Sequence, residues 1–258
     1  MLPGGSLTAS IVLAAGEGTR MHSTTPKVLH PLAGRSLLEH AVRAVAGLAP
    51  EQLVVVIGHG REAVRTHLHR LATALGRDVC TAVQAQQRGT GHAVRCALDV
   101  LPACLSGTVL VSYGDVPLLD TDTLSGLITE HHRTGQAMTV LSAVVDDPTG
   151  YGRVSRDPSG AVIGIVEHRD ATPAQRTIAE INSGVYAFDA AALRDALGRL
   201  NTSNSQGELY LPDVLGLVRA GGLLVGAHPC PDPWLVAGVN DRVQLAALGA
   251  ELNRRLLE

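Results

Sequence analysis

The 258-residue sequence predicts an α/β fold with a Rossmann-like, doubly wound and mostly parallel sheet, and three observations lead to that class. Short apolar runs rich in β-branched residues alternate four times with segments of helical periodicity up to residue 133, which is typical of βαβ units. The run at residues 53–57 is apolar throughout, as expected for a strand buried on both faces of a parallel sheet. Glycine-rich or polar loops follow three of the runs, at the strand ends where such sheets bind ligands.

The first half of the chain, about residues 8–137, contains the regular alternation. Its strands are predicted at residues 11–13, 53–57, 79–83 and 108–112. Its helices are predicted at residues 36–48, 61–75, 91–101 and 122–133. Ser36 is a suitable N-cap for the first helix, because its hydroxyl can accept from a free backbone N–H. We expect right-handed crossovers between these strands.

The pattern changes in the second half, about residues 138–240. Strands are predicted at residues 139–145, 182–188 and 223–227, with a bent hairpin formed by residues 147–154 and 161–167. Helices are predicted at residues 190–200 and 210–220, followed by a C-terminal helix at residues 241–258. No low-complexity linker or internal repeat separates the halves. We therefore predict a single domain over residues 1–258, in which the second half extends the same sheet.

Composition and charge exclude several classes of protein. Hydrophobic residues make up 45% and charged residues 17% of the chain, which is a globular composition. The net charge is −3 and the basic residues are scattered, so we expect no nucleic-acid partner. The chain has six aromatic residues, too few for a platform that stacks bases.

The cysteines and the apolar segments bear on the compartment. The four cysteines form no C-x-x-C pair, which argues against a disulfide framework or zinc ribbon and favours a reducing environment. No lysine or arginine precedes Arg20, so the apolar stretch before it lacks the positive region of a signal peptide. No apolar run approaches the roughly 20 residues that span a bilayer. We therefore expect a cytoplasmic protein with no membrane partner.

The loop after the first strand carries two glycines and two cations: Gly16, Gly18, Arg20 and Lys27. Glycines let backbone N–H groups approach phosphate oxygens closely, and cations complement the phosphate charge. The dinucleotide pattern G-x-G-x-x-G fails because its third position is Met21, and no Gly-Lys-Ser/Thr of a P-loop occurs here. A tight turn with two solvated cations remains the alternative.

Two oxygen-bearing side chains and several histidines are further candidates. Asp115 follows the fourth strand, where a carboxylate can cap a turn or bind Mg²⁺ beside phosphates. Asp241 is expected to cap the last helix. His92 is compatible with orienting the loop around Gly89 or with capping its own helix. The remaining histidines lack metal-ligand spacing, and we interpret the pairs His67/His69 and His131/His132 as solvated helix positions.

Several motifs together resemble one family. The stretch from residue 11 to Lys27 resembles the signature LxAGxGTRM-(x)n-PK of the sugar nucleotidyltransferases, also called nucleotide-sugar pyrophosphorylases. Further matches resemble its motifs Q-x-x-x-x-GTGHA, DDPxGYGR, IVEHKDAT, EINTG and NNAQGEYYLTD, at residues 84–92, 147–154, 165–172, 180–184 and 204–214. Matches of this density indicate a resemblance to one branch of the family. That branch is the uridyltransferase half of bacterial bifunctional N-acetylglucosamine-1-phosphate uridyltransferases/glucosamine-1-phosphate acetyltransferases. Matches extend to about residue 248.

The resemblance implies roles for individual residues. The uridine and ribose would be held by Leu13, Ala14, Ala15 and Gly16, and the uracil would be read by Gln84, Gly89 and Thr90. Gly18 would also bind substrate. The sugar pocket would consist of Tyr113, Gly114, Gly152, Glu167 and Asn182. Arg20 and Lys27 would bind the triphosphate and the attacked phosphorus. Asp115 and Asn240 would be the metal ligands, with Asn240 also contacting the substrates.

The implied reaction is Mg²⁺-dependent transfer of UMP from UTP to N-acetyl-α-D-glucosamine 1-phosphate, which yields UDP-N-acetylglucosamine and pyrophosphate for cell-wall precursors. By the same resemblance, the first half would bind the nucleotide and the second half the sugar. Three alternatives stay open. The enzyme could use another base or another sugar phosphate, or the protein could be a non-catalytic nucleotide-sugar sensor. A dinucleotide-dependent oxidoreductase is disfavoured by the broken glycine pattern.

The hexapeptide repeats of the acetyltransferase half are absent from this sequence. We therefore expect no left-handed β-helix, no acetyltransferase activity and a monomer. A truncated chain and a naturally single-function enzyme remain equally open.

Overall fold

A computed structural model of the protein describes residues 7–257, so Glu258 of the predicted last helix lies outside the described residues. The strands, in chain order, are β1 (Leu7–Ala14), β2 (Pro31–Leu32), β3 (Arg35–Ser36), β4 (Gln52–Ile57), β5 (Cys80–Val83), β6 (Thr108–Tyr113), β7 (Met138–Val144), β8 (Gly152–Arg156), β9 (Val162–Val166), β10 (Glu180–Asp189) and β11 (Val225–Pro229). The helices are α1 (Leu37–Ala46), α2 (Arg61–Leu75), α3 (Thr90–Asp99), α4 (Thr121–Thr134), α5 (Pro173–Arg176), α6 (Ala190–Arg199), α7 (Asp213–Ala220) and α8 (Arg242–Leu257).

A nine-stranded sheet forms the centre of the molecule. Its main path has the order β11-β7-β10-β6-β1-β4-β5, and the β8–β9 hairpin joins it through β10. Strands β1, β4, β5 and β6 are parallel, whereas β10 runs antiparallel to both β6 and β7. The prediction of a mostly parallel sheet, extended by the second half of the chain, is therefore confirmed.

Helices cover both faces of this sheet, as a doubly wound fold requires. Ile11 and Leu13 of β1 pack in one apolar cluster with α3, α6 and α7. Val12 and Ala14, which point to the opposite face, pack in a second cluster with α1, α2 and α4. The alternation of β1 side chains between two buried faces explains why residues 11–14 are apolar without interruption.

A third, smaller cluster attaches α8 to the opening loop. It contains Met21, Leu32, Leu37, Leu118, Val239 and Leu248. Met21 is 1% exposed and lies in a 3-10 turn, Thr19–Met21, directly after the glycines. The buried methionine anchors a loop that otherwise faces solvent.

The predicted caps and ends agree well with the structure, but the prediction that four histidines are solvated holds only for His69. His67 and His132 are half-buried, and their Nε2 atoms lie 2.8 Å from Ser36 Oγ and 2.7 Å from Thr108 Oγ1. Ser36 Oγ accepts from the N–H of Glu39 at 3.0 Å, and Asp241 Oδ1 accepts from the N–H of Gln244 at 2.8 Å. The interpretation of His131 as solvated is wrong, because its ring is 4% exposed and its Nδ1 lies 2.9 Å from Thr139 Oγ1. Burial, with a further contribution from the charge of His132, lowers the pKa of His131 to about 4. Within residues 7–257, no helix is long and apolar enough to cross a membrane.

Candidate active site

A cavity of about 340 Å³ opens at the carboxyl ends of β1 and β6. It is lined by Leu13, Ala14, Ala15, Gly16, Lys27, Val28, Gln84, Gln87, Gly89, Thr90, Ala93, Tyr113, Asp115, Glu208 and Asn240. Eleven of these residues are among the site residues predicted from the sequence. Three loops separated along the chain therefore meet at one edge of the sheet, as the fold class predicts.

Lys27 and Asp115 form an ion pair at the floor of this cavity, between Nζ and Oδ2. Their side chains are 12% and 17% exposed, so solvent screens the pair only in part. The N–H of Val239 donates to the carbonyl of Asp115 at 2.8 Å, which brings the adjacent Asn240 to the same wall. One cation, one carboxylate and one amide are thereby held together.

The opening loop supports Lys27 but leaves Arg20 outside the cavity. Gly18 has a φ of +67°, and a Cβ at this position would lie 2.5 Å from Lys27 Cβ, so only glycine allows this approach. Arg20 is exposed on the 3-10 turn and does not line the cavity. The backbone just after Arg20 is held by Arg242 of α8, which donates to the carbonyls of Met21 at 2.8 Å and His22 at 2.9 Å.

The loop after β5 closes one side of the cavity. Gln84 is 5% exposed, and its Nε2 donates to the carbonyl of Gly89 at 3.0 Å. Gly89 has a φ of +94°, and a Cβ there would lie 2.6 Å from the carbonyl oxygen of Leu209. The hydroxyl of Thr90 accepts from the N–H of Leu211 at 3.0 Å. The segment before α7 thus braces the loop that is predicted to read the base.

Three of the five residues predicted for the sugar pocket, Gly152, Glu167 and Asn182, also lie together. Gly152 of β8 is the register partner of Asn182 of β10, and a Cβ at Gly152 would lie 3.1 Å from Glu167 Oε1. Asn182 Oδ1 accepts from the N–H of Gly184 at 3.0 Å. Gly184, with a φ of +84°, packs against the ring of Tyr113, so this ring lies between the two groups of residues.

Burial and neighbouring charges shift the pKa values of Glu167 and Tyr113, two residues predicted for the sugar pocket. Burial, assisted by the neighbouring charges of Asp213 and Asp170, raises the pKa of Glu167 to about 7. Burial and the charges of Glu167 and Asp115 raise the pKa of Tyr113 above its ordinary value, which keeps its hydroxyl protonated at neutral pH. Glu167 can therefore accept or donate a hydrogen bond near neutral pH, depending on its protonation.

Six predicted site residues do not line the cavity: Gly18, Arg20, Gly114, Gly152, Glu167 and Asn182. Four lining residues were not predicted: Val28, Gln87, Ala93 and Glu208. Gly114 does not line the cavity; its N–H donates to the carbonyl of Leu13 at 2.9 Å and holds β6 to β1. Gln87 and Glu208 line the cavity but were not predicted. Gln87 Nε2 donates to the carbonyl of Ala15 at 2.8 Å. Gln87 and Glu208 lie inside motifs that the sequence does display, yet motif spacing does not show which variable position faces a ligand.

A doubly wound sheet whose strand ends hold a glycine-rich loop, a lysine and a carboxylate defines a nucleotidyltransferase domain. The chain belongs to the family of the MobA-like NTP transferase domain, whose family model matches residues 10–206. The sequence prediction of a nucleotidyltransferase is confirmed by this match.

Curated relatives match nearly the whole of this chain. It is 60% identical over 250 residues to the bifunctional protein GlmU of Mycolicibacterium vanbaalenii, which covers 97% of this chain and 51% of that protein. It is 59% identical over 249 residues to the protein of the same name from Mycolicibacterium gilvum, covering 96% and 50%. For the protein of that name from Corynebacterium efficiens, identity is 54% over 253 residues, covering 98% and 52%. The chain spans about half the length of these relatives.

The donor set around Asp115 fits a divalent cation, on which transferases of this family generally depend. Asp115 and Asn240 supply hard oxygen atoms at one wall of the cavity. Within residues 7–257, no cluster of three or more histidine, cysteine, aspartate or glutamate side chains could hold a metal alone. A cation at Asp115 would therefore need further oxygens, and substrate phosphates provide them.

Proposed function

We propose that the protein transfers UMP from UTP to N-acetyl-α-D-glucosamine 1-phosphate and releases pyrophosphate, with Mg²⁺ as cofactor. The observation that carries this proposal is the meeting of Lys27, Asp115 and Asn240 in one cavity with the Gln84–Gly89 loop. The motif resemblance supports it, as does the likeness to proteins named bifunctional GlmU over nearly the whole of this chain.

The residues present suit an in-line attack by a phosphate oxygen on the α-phosphorus. The attacking oxygen is already an anion, so no general base is needed, and positioning with charge neutralisation provides most of the rate. Lys27 lies in the cavity, where it can neutralise charge on the triphosphate. We assign to Arg20 the same neutralisation of triphosphate charge, from the opposite side of the loop. Reaching the phosphates from its exposed position requires the turn to close over the bound substrate.

We assign the metal to Asp115 and Asn240. Mg²⁺ bound there would polarise the phosphates and orient pyrophosphate as the leaving group. Lys27 pairs with Asp115 in the free protein, so a cation bound to Asp115 would take the place of the lysine. When substrate binds, the ammonium group is released to the phosphate oxygens, which offer it an equivalent partner.

We assign the sugar to the other end of the site and propose that the two halves of the domain divide the substrates. Glu167 and Asn182 would bind hydroxyl groups, and the region near Gly152 and Asn182 would accept the N-acetyl group. Tyr113, packed between the cavity and Gly184, would form the surface on which the sugar rests. In this arrangement residues 8–137 bind UTP and residues 138–240 bind the sugar phosphate.

A substrate matrix tests the proposal. UTP, CTP, ATP and GTP are each combined with N-acetylglucosamine 1-phosphate, glucose 1-phosphate and galactosamine 1-phosphate, and pyrophosphate release is measured with and without Mg²⁺. We expect the highest kcat/KM for UTP with N-acetylglucosamine 1-phosphate, and no turnover after chelation. A higher value for another pair would assign a different sugar nucleotidyltransferase.

Matched variants separate catalysis from binding. Asp115→Asn keeps the shape of the side chain but removes its charge, so we expect turnover to fall about 10²–10³-fold. The exposed Asp122→Asn of α4 serves as the control and keeps full activity. Tight binding of UDP-N-acetylglucosamine without pyrophosphate release from any pair would instead identify a nucleotide-sugar sensor.

A further inference from the structure

Both amide hydrogens of Gln84 are bound to acceptors of the protein. The first is donated to the carbonyl oxygen of Gly89, with a distance of 3.0 Å from Nε2. A carbonyl can only accept, so the Gln84 atom beside it is the nitrogen and not the oxygen. The second hydrogen has His92 Nδ1 as its partner, at 3.2 Å. The side chain is 5% exposed, so an unpaired N–H here would be costly.

This arrangement requires one tautomer of His92. Its Nδ1 must be unprotonated to accept from Gln84, so the ring proton is on Nε2. The Nε2 atom lies 3.8 Å from Cys96 Sγ, and sulfur is a weak acceptor for that proton. Burial raises the pKa of Cys96, which keeps this partner a neutral thiol. The structure shows no side-chain cap at the start of α3, so His92 acts on Gln84 and not as a helix cap.

The remaining polar atom of Gln84 is Oε1, which has no hydrogen bond to residues 7–257. Gln84 lines the cavity, so it can offer a ligand there only an acceptor. Uracil carries an N–H at N3, whereas cytosine carries an unprotonated N3 that would meet this oxygen with repulsion. An acceptor held in one orientation therefore favours uracil.

We propose that His92 is a positioning residue that fixes the Gln84 amide and thereby sets the preference for uracil over cytosine. This inference rests on the proposed function, because it concerns the base-reading part of the same site. Without the imidazole acceptor, the second amide hydrogen loses its partner and the side chain leaves its single orientation. The expected effect is a change in base preference, which a purely structural role would not produce.

The experiment compares His92→Phe, which removes the acceptor, with His92→Asn, whose side-chain oxygen can take the place of Nδ1. We expect His92→Phe to lower the ratio of kcat/KM for UTP over CTP about fivefold to tenfold, mainly through a higher KM for UTP. His92→Asn should restore most of the preference. The exposed His69→Phe of α2 is the matched control and keeps the wild-type ratio. An unchanged ratio in a folded His92→Phe variant overturns the proposal.

Two measurements keep this test independent of catalysis. Calorimetric binding of UDP and CDP to wild type and His92→Phe reports the same preference without turnover. If no substrate pair releases pyrophosphate, the proposed function is refuted. The calorimetric preference for UDP over CDP still tests the role of His92 in that case. Long-range ¹⁵N NMR of the wild-type protein should find the His92 ring proton on Nε2. A proton on Nδ1 overturns the proposal even if the variants fail to fold.

Discussion

Replacing Glu167 by glutamine should make the folded protein more stable at alkaline pH. The pKa of this carboxyl is about 7, against an ordinary value of 4.5, because of burial and the charges of Asp213 and Asp170. The difference corresponds to about 3 kcal/mol that ionisation costs the folded state relative to the unfolded chain. The contribution of Glu167 is fully present below pH 4.5 and is lost as the pH rises through about 7. Glutamine does not ionise, so the variant avoids this loss.

Urea unfolding of both proteins between pH 4.5 and pH 8.5 measures the effect. The free energy of unfolding of Glu167→Gln should equal that of wild type near pH 4.5 and exceed it by up to about 3 kcal/mol above pH 8. His131 acts in the opposite sense: its pKa is lowered to about 4, so its contribution is lost as the pH falls below 6.5. Both proteins contain His131, so its contribution cancels when their free energies of unfolding are subtracted.

Two further variants make the test of Glu167 specific. Asp213→Asn removes a charge that raises the pKa of Glu167, so the pH-dependent step should move to lower pH. Glu62→Gln changes a carboxylate that is 75% exposed, and its stability curve should remain parallel to wild type. Parallel curves for Glu167→Gln and wild type across the whole range would refute the reasoning, since the carboxyl would then ionise equally well in both states.

The remaining predictions concern the opening loop. Lys27→Ala and Arg20→Ala should each lower kcat/KM for pyrophosphate release about 10²–10³-fold, and near-normal turnover in both would remove the loop from the mechanism. Gly18→Ala places a methyl group 2.5 Å from Lys27 Cβ, so kcat should fall up to about 10²-fold; wild-type kinetics would show that the loop adjusts freely. Arg242→Ala removes two hydrogen bonds to loop carbonyls and should lower kcat about tenfold, whereas the exposed Arg219→Ala should not.

The main strands and helices could be predicted because their signals are local. Helix α2 begins and ends where its periodicity does, and its final Gly76 has the positive φ expected of a helix stop. The position of β10 could not be predicted, since its insertion between β6 and β7 depends on pairing partners far away in sequence. The four-residue helix α5 also escaped prediction, because one turn is too short to display a period.

The candidate site was predictable to the extent that the fold brings strand ends together. Asp115 follows β6 and Gln84 follows β5, so topology alone places both at one edge. The ion pair between Lys27 and Asp115 joins residues 88 positions apart, and no local pattern contains it. Whether His131 faces solvent was likewise beyond the sequence. Its helix carries histidines at two successive positions, and only the packing against β7 selects which one is buried.

Helix α8 contributes no residue to the cavity lining, but it supports the opening loop that carries Lys27. Arg242 holds the backbone just after Arg20, and Leu248 shares an apolar cluster with Met21 of the same turn. A protein shortened before residue 242 would keep every cavity-lining side chain and yet lose the support of its phosphate loop. Conversely, a small molecule bound between α8 and this turn would inhibit without occupying the cavity that the substrates enter.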